Sequence, residues 1–204
     1  MSAQPADILI RPGQEGDRAG IAQAVAEAFY EYFRAIGKSR QEIAGLLAHL
    51  VQPERFTVAI SPDGQVLGAV GCGDERGYSV EPLKEPVMRS LGPVRGFFAL
   101  QVMRDEFRRP RTFEPGEGHV DWVAVRENAR GQRLAGRMLA HLLARRQYPL
   151  YTLDVVAGNE HVMPIYESVG FHEVRREKEK GGWYKGFRFR HIMACRPSED
   201  TAHG

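Results

Sequence analysis

The chain has 204 residues, of which 43% are apolar and 26% charged, a composition typical of one globular domain with its own hydrophobic core. Its 28 basic and 26 acidic residues leave a net charge of +2, which predicts neither a nucleic acid nor another large polyanion as partner. The amino terminus lacks a secretory pattern, no segment is long and apolar enough to span a membrane, and the two cysteines lie far apart, so we expect a cytoplasmic protein without membrane contact, disulfide framework or metal site.

Hydrophobic periodicity predicts alternating strands and helices along most of the chain. Apolar side chains spaced by three and four residues predict helices, whereas short apolar runs bounded by turn residues predict strands. Ser39 with Glu42 three residues later is typical of a capping box that begins a helix, and Gly170 lies where a glycine ends one. In chain order the predicted elements are a strand at 7–11, a helix at 17–33, a helix from Ser39, strands at 56–60 and 65–72, a strand at 119–125, a helix from Gly131, a strand at 151–156, a short helix at 162–169, and strands at 171–176 and 187–194.

Residues 74–116 interrupt this alternation. They are rich in Pro, Gly and Arg, yet the apolar stretch 94–103 predicts one helix. A connection of this length is usually functional or disordered, and Phe97, Phe98 and Phe107 argue against disorder, so we interpret it as an insertion over the body of the domain. The predicted organisation is a flexible amino terminus, one domain with this insertion, and a flexible tail, at residues 1–6, 7–196 and 197–204. The order of elements predicts a three-layer α/β fold around a mixed sheet.

The turn after the strand at 119–125 carries the clearest chemical signal. Between Arg126 and Arg146 the chain has six arginines and one glutamate. A small-residue loop that exposes successive backbone N–H groups at the start of a helix is typical of a phosphate or pyrophosphate site. A solvated helix face is the alternative, and it suits the distal His141 and Arg145 better than Arg130 and Arg133.

Residues 119–171 resemble the GNAT superfamily of acetyl-CoA-dependent N-acetyltransferases. The turn of that family follows Arg/Gln-x-x-Gly-x-Gly/Ala, which Arg130 and Ala135 fit, while Arg133 stands in place of the middle glycine. A later family block of Asn, then Tyr-Glu, then Gly-Phe is matched by Asn159, Tyr166, Glu167, Gly170 and Phe171. The resemblance implies a central mixed, mostly antiparallel sheet with helices on both faces.

The same resemblance implies that acetyl-CoA is the co-substrate. The main chain of the strand at 119–125 would pair with the pantetheine arm of the cofactor, and the backbone amides of the turn at 131–136 would hold its pyrophosphate. Asn159 would also contact the arm. Helix capping is an alternative role for that asparagine. The implied cofactor-binding residues are Val123, Val125, Arg130, Gly131, Gln132, Arg133, Leu134, Ala135, Gly136 and Asn159.

By the same resemblance Tyr166 would donate a proton to the departing thiolate, with a core aromatic as the alternative. A primary amine with a pKa of about 10.4 is almost entirely protonated at pH 7, so a base or a water chain is useful. Asp121, where many family members carry an acid, is the first choice of base and Glu117 the second, with His119 weaker; structural roles are the alternatives. By the period of two, these three residues are expected to share a face with Val123 and Val125.

The sequence therefore predicts an N-acetyltransferase that moves acetyl from acetyl-CoA to a primary amine of a small molecule or peptide by direct attack. A catalytically silent coenzyme A-binding or protein-interaction module on the same fold is the alternative. The arginine-rich helix lacks the interleaved aromatic residues of a nucleic-acid surface, so we expect no nucleic-acid partner. The sequence leaves open whether the chain forms a homodimer.

Overall fold

The computed structural model describes residues 7–33, 38–107, 115–179 and 187–197. The predicted flexible segments 1–6 and, apart from Pro197, 197–204 lie outside these residues. The strands are β1 (Leu9–Pro12), β2 (Phe56–Ile60), β3 (Val66–Gly73), β4 (Glu117–Val125), β5 (Leu150–Val156), β6 (His172–Lys178) and β7 (Phe189–Cys195). The helices are α1 (Arg18–Ala28), α2 (Tyr30–Phe33), α3 (Arg40–Leu47), α4 (Lys84–Leu91), α5 (Pro93–Phe107), α6 (Leu134–Ala144) and α7 (Met163–Glu167).

The seven strands form one sheet in the order β1-β2-β3-β4-β5-β7-β6. Neighbouring strands run antiparallel except β4 and β5, which are parallel. The expected mixed, mostly antiparallel sheet is therefore confirmed. Its one parallel pair lies at the centre, because α6 carries the chain back across the sheet between β4 and β5.

Two hydrophobic clusters lie on opposite faces of the sheet. One packs α1, α3 and the insertion against β2, β3 and β4, and includes Trp122, which Phe29 meets edge-on at 4.8 Å between ring centroids. The other packs α6 against β2, β3, β5 and β7, with Met138 and Leu139 fully buried. Helices therefore cover both faces, as expected. The predicted capping box is also present, since the Ser39 side chain accepts from the backbone N–H of Glu42.

The insertion is more regular than its sequence indicates. The prediction of a single helix at 94–103 is wrong in extent, because α4 precedes it and α5 runs from Pro93 to Phe107. Apolar side chains in α4 are too few to show a helical period, but Val87 and Leu91 are buried in the α1-side core. Val80 also pairs with Val51 in an isolated bridge. The described part of the segment thus completes one face of the core.

The predicted helix at 17–33 is confirmed with one interruption, because α1 ends at Ala28 and α2 begins at Tyr30. No helix in the described residues combines the length and apolarity that a bilayer crossing requires.

Candidate active site

The parallel strands β4 and β5 pair along only part of their length. Backbone pairing joins residues 117–120 to residues 150–153, and within the described chain the two strands continue to Val125 and Val156 without pairing to each other. On its other side β4 stays paired with β3 as far as Val125. One backbone edge of residues 121–125 therefore faces the opening between the strands, which we call the β4–β5 cleft.

A β-bulge lies at the point where the cleft begins. Trp122 pairs with Gly71 and Val120 pairs with Cys72, so Asp121 is an extra residue without a counterpart on β3. Such an insertion of one residue reverses the alternation of side chains beyond it.

This reversal corrects one expectation about β4. Val123 and Val125 pack toward the cluster beneath α6. Asp121 instead contacts the insertion, and Glu117 and His119 contact Thr152, on the opposite face. The prediction that the three polar residues share a face with the two valines is therefore wrong, because the period of two is broken at the bulge.

The turn before α6 exposes its backbone. Gly131 has φ 80° and Arg133 has φ 56°, and α6 begins at Leu134 without a side-chain cap. The first N–H groups of this 11-residue helix are therefore left for an external acceptor. A Cβ added at Gly131 or Gly136 would meet no atom within 4 Å, so an anion can approach this backbone closely.

Side chains around the turn divide into buried and exposed groups. Leu134 is buried in the α6 core, so only its main chain is available to a ligand. Arg130 and Arg133 are exposed beside the turn. Oε1 of Gln132 is buried without a hydrogen-bond partner among the described residues. Ala135 follows in the first turn of α6. The geometry and charge fit the pyrophosphate of coenzyme A.

Asn159 lies in the loop after β5, just before a short 3-10 turn at 160–162. Its side chain makes no capping hydrogen bond, so the helix-cap alternative finds no support in the structure. Its exposed amide lies on the loop that follows β5, the strand bordering the cleft.

Tyr166 lies on α7, where its ring meets Phe171 edge-on at 6.4 Å between centroids. Burial, and next the negative charge of Asp154, raise the pKa of the Tyr166 phenol to about 12. The phenol therefore keeps its proton at neutral pH and can act as a donor. Pro164 occupies the first turn of α7, where a missing N–H is tolerated.

Asp121 is held by the insertion. The Ser79 backbone N–H donates to Oδ2 at 3.0 Å, and the Ser79 hydroxyl donates to Oδ1 at 2.6 Å. Burial raises the pKa of Asp121 above its ordinary value, although both hydrogen bonds act in the opposite direction. These contacts support a structural role for Asp121, which is the alternative to its role as the base.

Glu117 is buried at 9% exposure, unlike the exposed carboxylate that its place at the start of a strand suggests. It accepts a hydrogen bond of 2.5 Å from the Thr152 hydroxyl. His119 contacts the same hydroxyl and, through its other nitrogen, Asp154. Asp154 in turn pairs with Arg190 at 2.6 Å.

Sequence reasoning did not single out Thr152, Asp154 or Arg190. A signal was present in β5, where Thr152 and Asp154 alternate with apolar residues in a strand at the centre of the sheet. Polar residues at alternate positions of such a strand predict a polar site on one face. Among the described residues no group of three or more His, Cys, Asp or Glu side chains is placed to bind a metal ion.

Comparison with known proteins agrees with this geometry. The model of the acetyltransferase (GNAT) family matches residues 22–171. The 5-NmdU N-acetyltransferase of Pseudomonas phage PaMx11 is 28% identical over 80 residues, which are 39% of this chain and 51% of that protein. The match with this curated relative thus spans about half of the relative's length.

Solved structures share the fold at low sequence identity. The ribosomal-protein-S18-alanine N-acetyltransferase of Escherichia coli superposes with a TM-score of 0.56 at 17% identity, covering 97% of this chain and 98% of its own. The spermidine N-acetyltransferase of Vibrio cholerae, solved with CoA and spermine, gives 0.55 at 12% identity, covering 95% and 98%. Because the family model covers well over half of the residues, the chain belongs to the GNAT family of acetyltransferases.

Proposed function

We propose that this chain transfers the acetyl group of acetyl-CoA to a primary amine of a small molecule or peptide by direct attack. The observation that carries this proposal is the β4–β5 cleft, which leads from an unpaired strand edge to the uncapped turn of α6. Acetyl-CoA supplies an acetyl group activated as a thioester. The backbone edge at Val123 and Val125 aligns the arm, and the amides of 131–136 bind the pyrophosphate.

Tyr166 protonates the leaving sulfur in this proposal. A thiol with a reference pKa of about 8.5 is a tolerable leaving group, so the proton donor contributes modestly. The amine side is more demanding, because less than about one part in 10³ of a primary amine is neutral at pH 7. Deprotonation of the acceptor therefore costs about 4 to 5 kcal/mol at pH 7, which a base or a water chain near the cleft would lower.

A panel of amines tests the function. It contains spermidine, a short peptide with an amino-terminal alanine and the 5-NmdU nucleoside, the three acceptors named for the relatives. We expect release of free coenzyme A and formation of the acetylated amine from at least one of them. Stabilisation by coenzyme A without turnover on a widened panel favours the silent binding module instead. If saturating coenzyme A does not raise the melting temperature, neither function holds.

A further inference from the structure

The carboxylate of Glu27 joins the end of α1 to the segment that follows β4. Its Oε1 accepts a hydrogen bond of 2.6 Å from the backbone N–H of Glu127, and its Oε2 accepts one of 3.3 Å from Nε of Arg126. Because 100 and 99 positions separate Glu27 from these two partners, the contact exists only in the folded chain. It lies outside the residues that the proposed function assigns to coenzyme A.

The N–H that Glu27 binds begins the 3-10 turn at 127–129. Arg126 is the cap residue before this turn, and within the described chain its own side chain makes no capping hydrogen bond. The first N–H groups of a helical turn have no partner inside it, so an acceptor from elsewhere must satisfy them. Glu27 therefore supplies from α1 the cap that the local sequence lacks.

The 3-10 turn leads directly into the backbone that the proposed function assigns to the pyrophosphate. The Ala129 N–H donates to the Arg126 carbonyl at 2.9 Å, and Ala129 is buried in the core beneath α6. Gly131, whose φ is 80°, follows two residues later. Amides bind an anion only within a narrow range of distance and angle. A shift at Glu127 therefore disturbs the start of the pyrophosphate turn.

Helix α1 is a fixed support for this carboxylate. Ala24 and Val25, which precede Glu27 by less than one helical turn, are fully buried in the core. Phe29, two residues beyond Glu27, meets Trp122 of β4 edge-on. The core therefore holds the backbone on both sides of Glu27.

The place of Glu27 within α1 does not favour the helix itself. It lies in the last turn, next to the final residue Ala28, where the helix dipole favours a cation over a carboxylate. A role outside the helix accounts for an acid at this place. Arg40 of α3 also pairs with the Glu127 side chain at 3.2 Å, but both side chains are half exposed, so this pair contributes little.

We propose that Glu27 is a positioning residue for coenzyme A, an inference that rests on the proposed cofactor site at 131–136. By capping the 3-10 turn from α1, it holds the amides of 131–136 in the arrangement that binds the pyrophosphate. A direct effect of its charge has the opposite sign, because a carboxylate near the phosphates repels them. Loss of Glu27 therefore weakens coenzyme A binding if Glu27 positions the turn, and strengthens it if charge alone acts.

Three substitutions of Glu27 separate position from charge. Glu27→Ala removes both the hydrogen bonds and the charge. Glu27→Gln loses the charge but keeps the length of the side chain and an oxygen that can accept from the Glu127 N–H. Glu27→Asp keeps the charge but draws the carboxylate back by one C–C bond, about 1.5 Å, which takes it beyond hydrogen-bond distance of that N–H.

Isothermal titration calorimetry with coenzyme A measures the effect without any need for turnover. A hydrogen bond to a charged group contributes more than a neutral one, so we expect the Kd to rise about tenfold in Glu27→Ala and in Glu27→Asp. Glu27→Gln should recover to within about threefold of the unsubstituted protein. The KM for acetyl-CoA should rise in parallel with the Kd, whereas kcat at saturating acetyl-CoA should change by less than about twofold.

Asp17 provides a matched control at the other end of α1. Like Glu27, it accepts from an arginine side chain, that of Arg11 at 2.6 Å and 2.9 Å, and from a backbone N–H, that of Gln14 at 2.8 Å. Asp17→Ala should lower the midpoint of urea denaturation by an amount similar to Glu27→Ala. It should leave the Kd for coenzyme A unchanged, because its contacts do not reach the 3-10 turn.

A Kd for Glu27→Ala that equals that of Asp17→Ala, or is lower, overturns the positioning role. If Glu27→Ala does not fold, the other two variants decide. Weaker binding by Glu27→Asp than by Glu27→Gln supports positioning, and binding by Glu27→Asp that is as tight or tighter contradicts it. If the unsubstituted protein does not bind coenzyme A, the proposed cofactor site fails, and this inference fails with it.

Discussion

Ser79 and Asp121 join the insertion to the bulge of β4 through two hydrogen bonds, of 3.0 Å and 2.6 Å. The approach is close, because a Cβ added at Gly71, on the neighbouring strand, would overlap the Ser79 hydroxyl oxygen and lie 2.7 Å from Oδ1 of Asp121. The insertion therefore holds the strand at the place where the cleft opens. The bulge is anchored from the side opposite to the turn of α6.

Substitution Ser79→Ala tests this anchor. It removes one of the two donors to a partly buried carboxylate, so we expect the free energy of unfolding to fall by about 1–3 kcal/mol. Urea denaturation at pH 7 measures the change. Ser168→Ala is the matched control, since the exposed Ser168 hydroxyl donates to its own helical turn, and it should cost less than about 0.5 kcal/mol. An equal fall in the free energy of unfolding in both variants would show that the contact between Ser79 and Asp121 does not stabilise the fold.

Substitution Asp121→Asn tests the effect of burial on this carboxyl. Burial raises the pKa of Asp121 in the folded protein, so its contribution to stability is complete below the unfolded pKa and is lost as pH rises through the folded pKa. The amide does not titrate. The stability of Asp121→Asn relative to the unsubstituted protein should therefore increase from about pH 4 upward and then level off. A relative stability that declines as pH rises contradicts the raised pKa.

Substitution Tyr166→Phe tests the proton donor. We expect kcat to fall by about 10- to 100-fold, while the affinity for coenzyme A stays within about threefold. Because the pKa of Tyr166 is about 12, the phenol stays protonated between pH 6 and 9, and the fold-loss in kcat should be constant over that range. Equal losses in turnover and coenzyme A affinity would make Tyr166 a structural residue of α7.

Substitution Arg133→Gly tests the departure from the family turn. Arg133 has φ 56°, a conformation that costs an L-residue about 1–2 kcal/mol, so glycine should leave stability unchanged or raise it slightly. Loss of the cation should weaken coenzyme A binding about fivefold at low salt, measured by isothermal titration calorimetry.

Arg146 provides the matched control for the same change. It also has a left-handed backbone, with φ 49°, but it lies beyond the carboxyl end of α6. Arg146→Gly should relieve the same backbone strain without changing coenzyme A affinity. If Arg133→Gly binds coenzyme A as tightly as Arg146→Gly does, Arg133 adds no cation to the site.

Local sequence signals predicted most of the fold and the turn of the site. The capping box at Ser39, the adjacent antiparallel strands β2 and β3 and the α6 turn depend on residues close together in the chain, so their spacing is visible in the sequence. The bulge at Asp121 depends on how β4 registers with β3, which no local pattern records. The contact between His119 and the Thr152 hydroxyl likewise depends on the parallel pairing of β4 with β5, which places these residues opposite each other although 33 positions separate them.

The most direct test of the central claim is a structure of the protein with acetyl-CoA. We expect the pantetheine arm between β4 and β5 beyond Val120, the pyrophosphate on the amides of 131–136, and the sulfur within reach of the Tyr166 hydroxyl. An arm bound outside the β4–β5 cleft, or a pyrophosphate away from the turn of α6, would contradict the account.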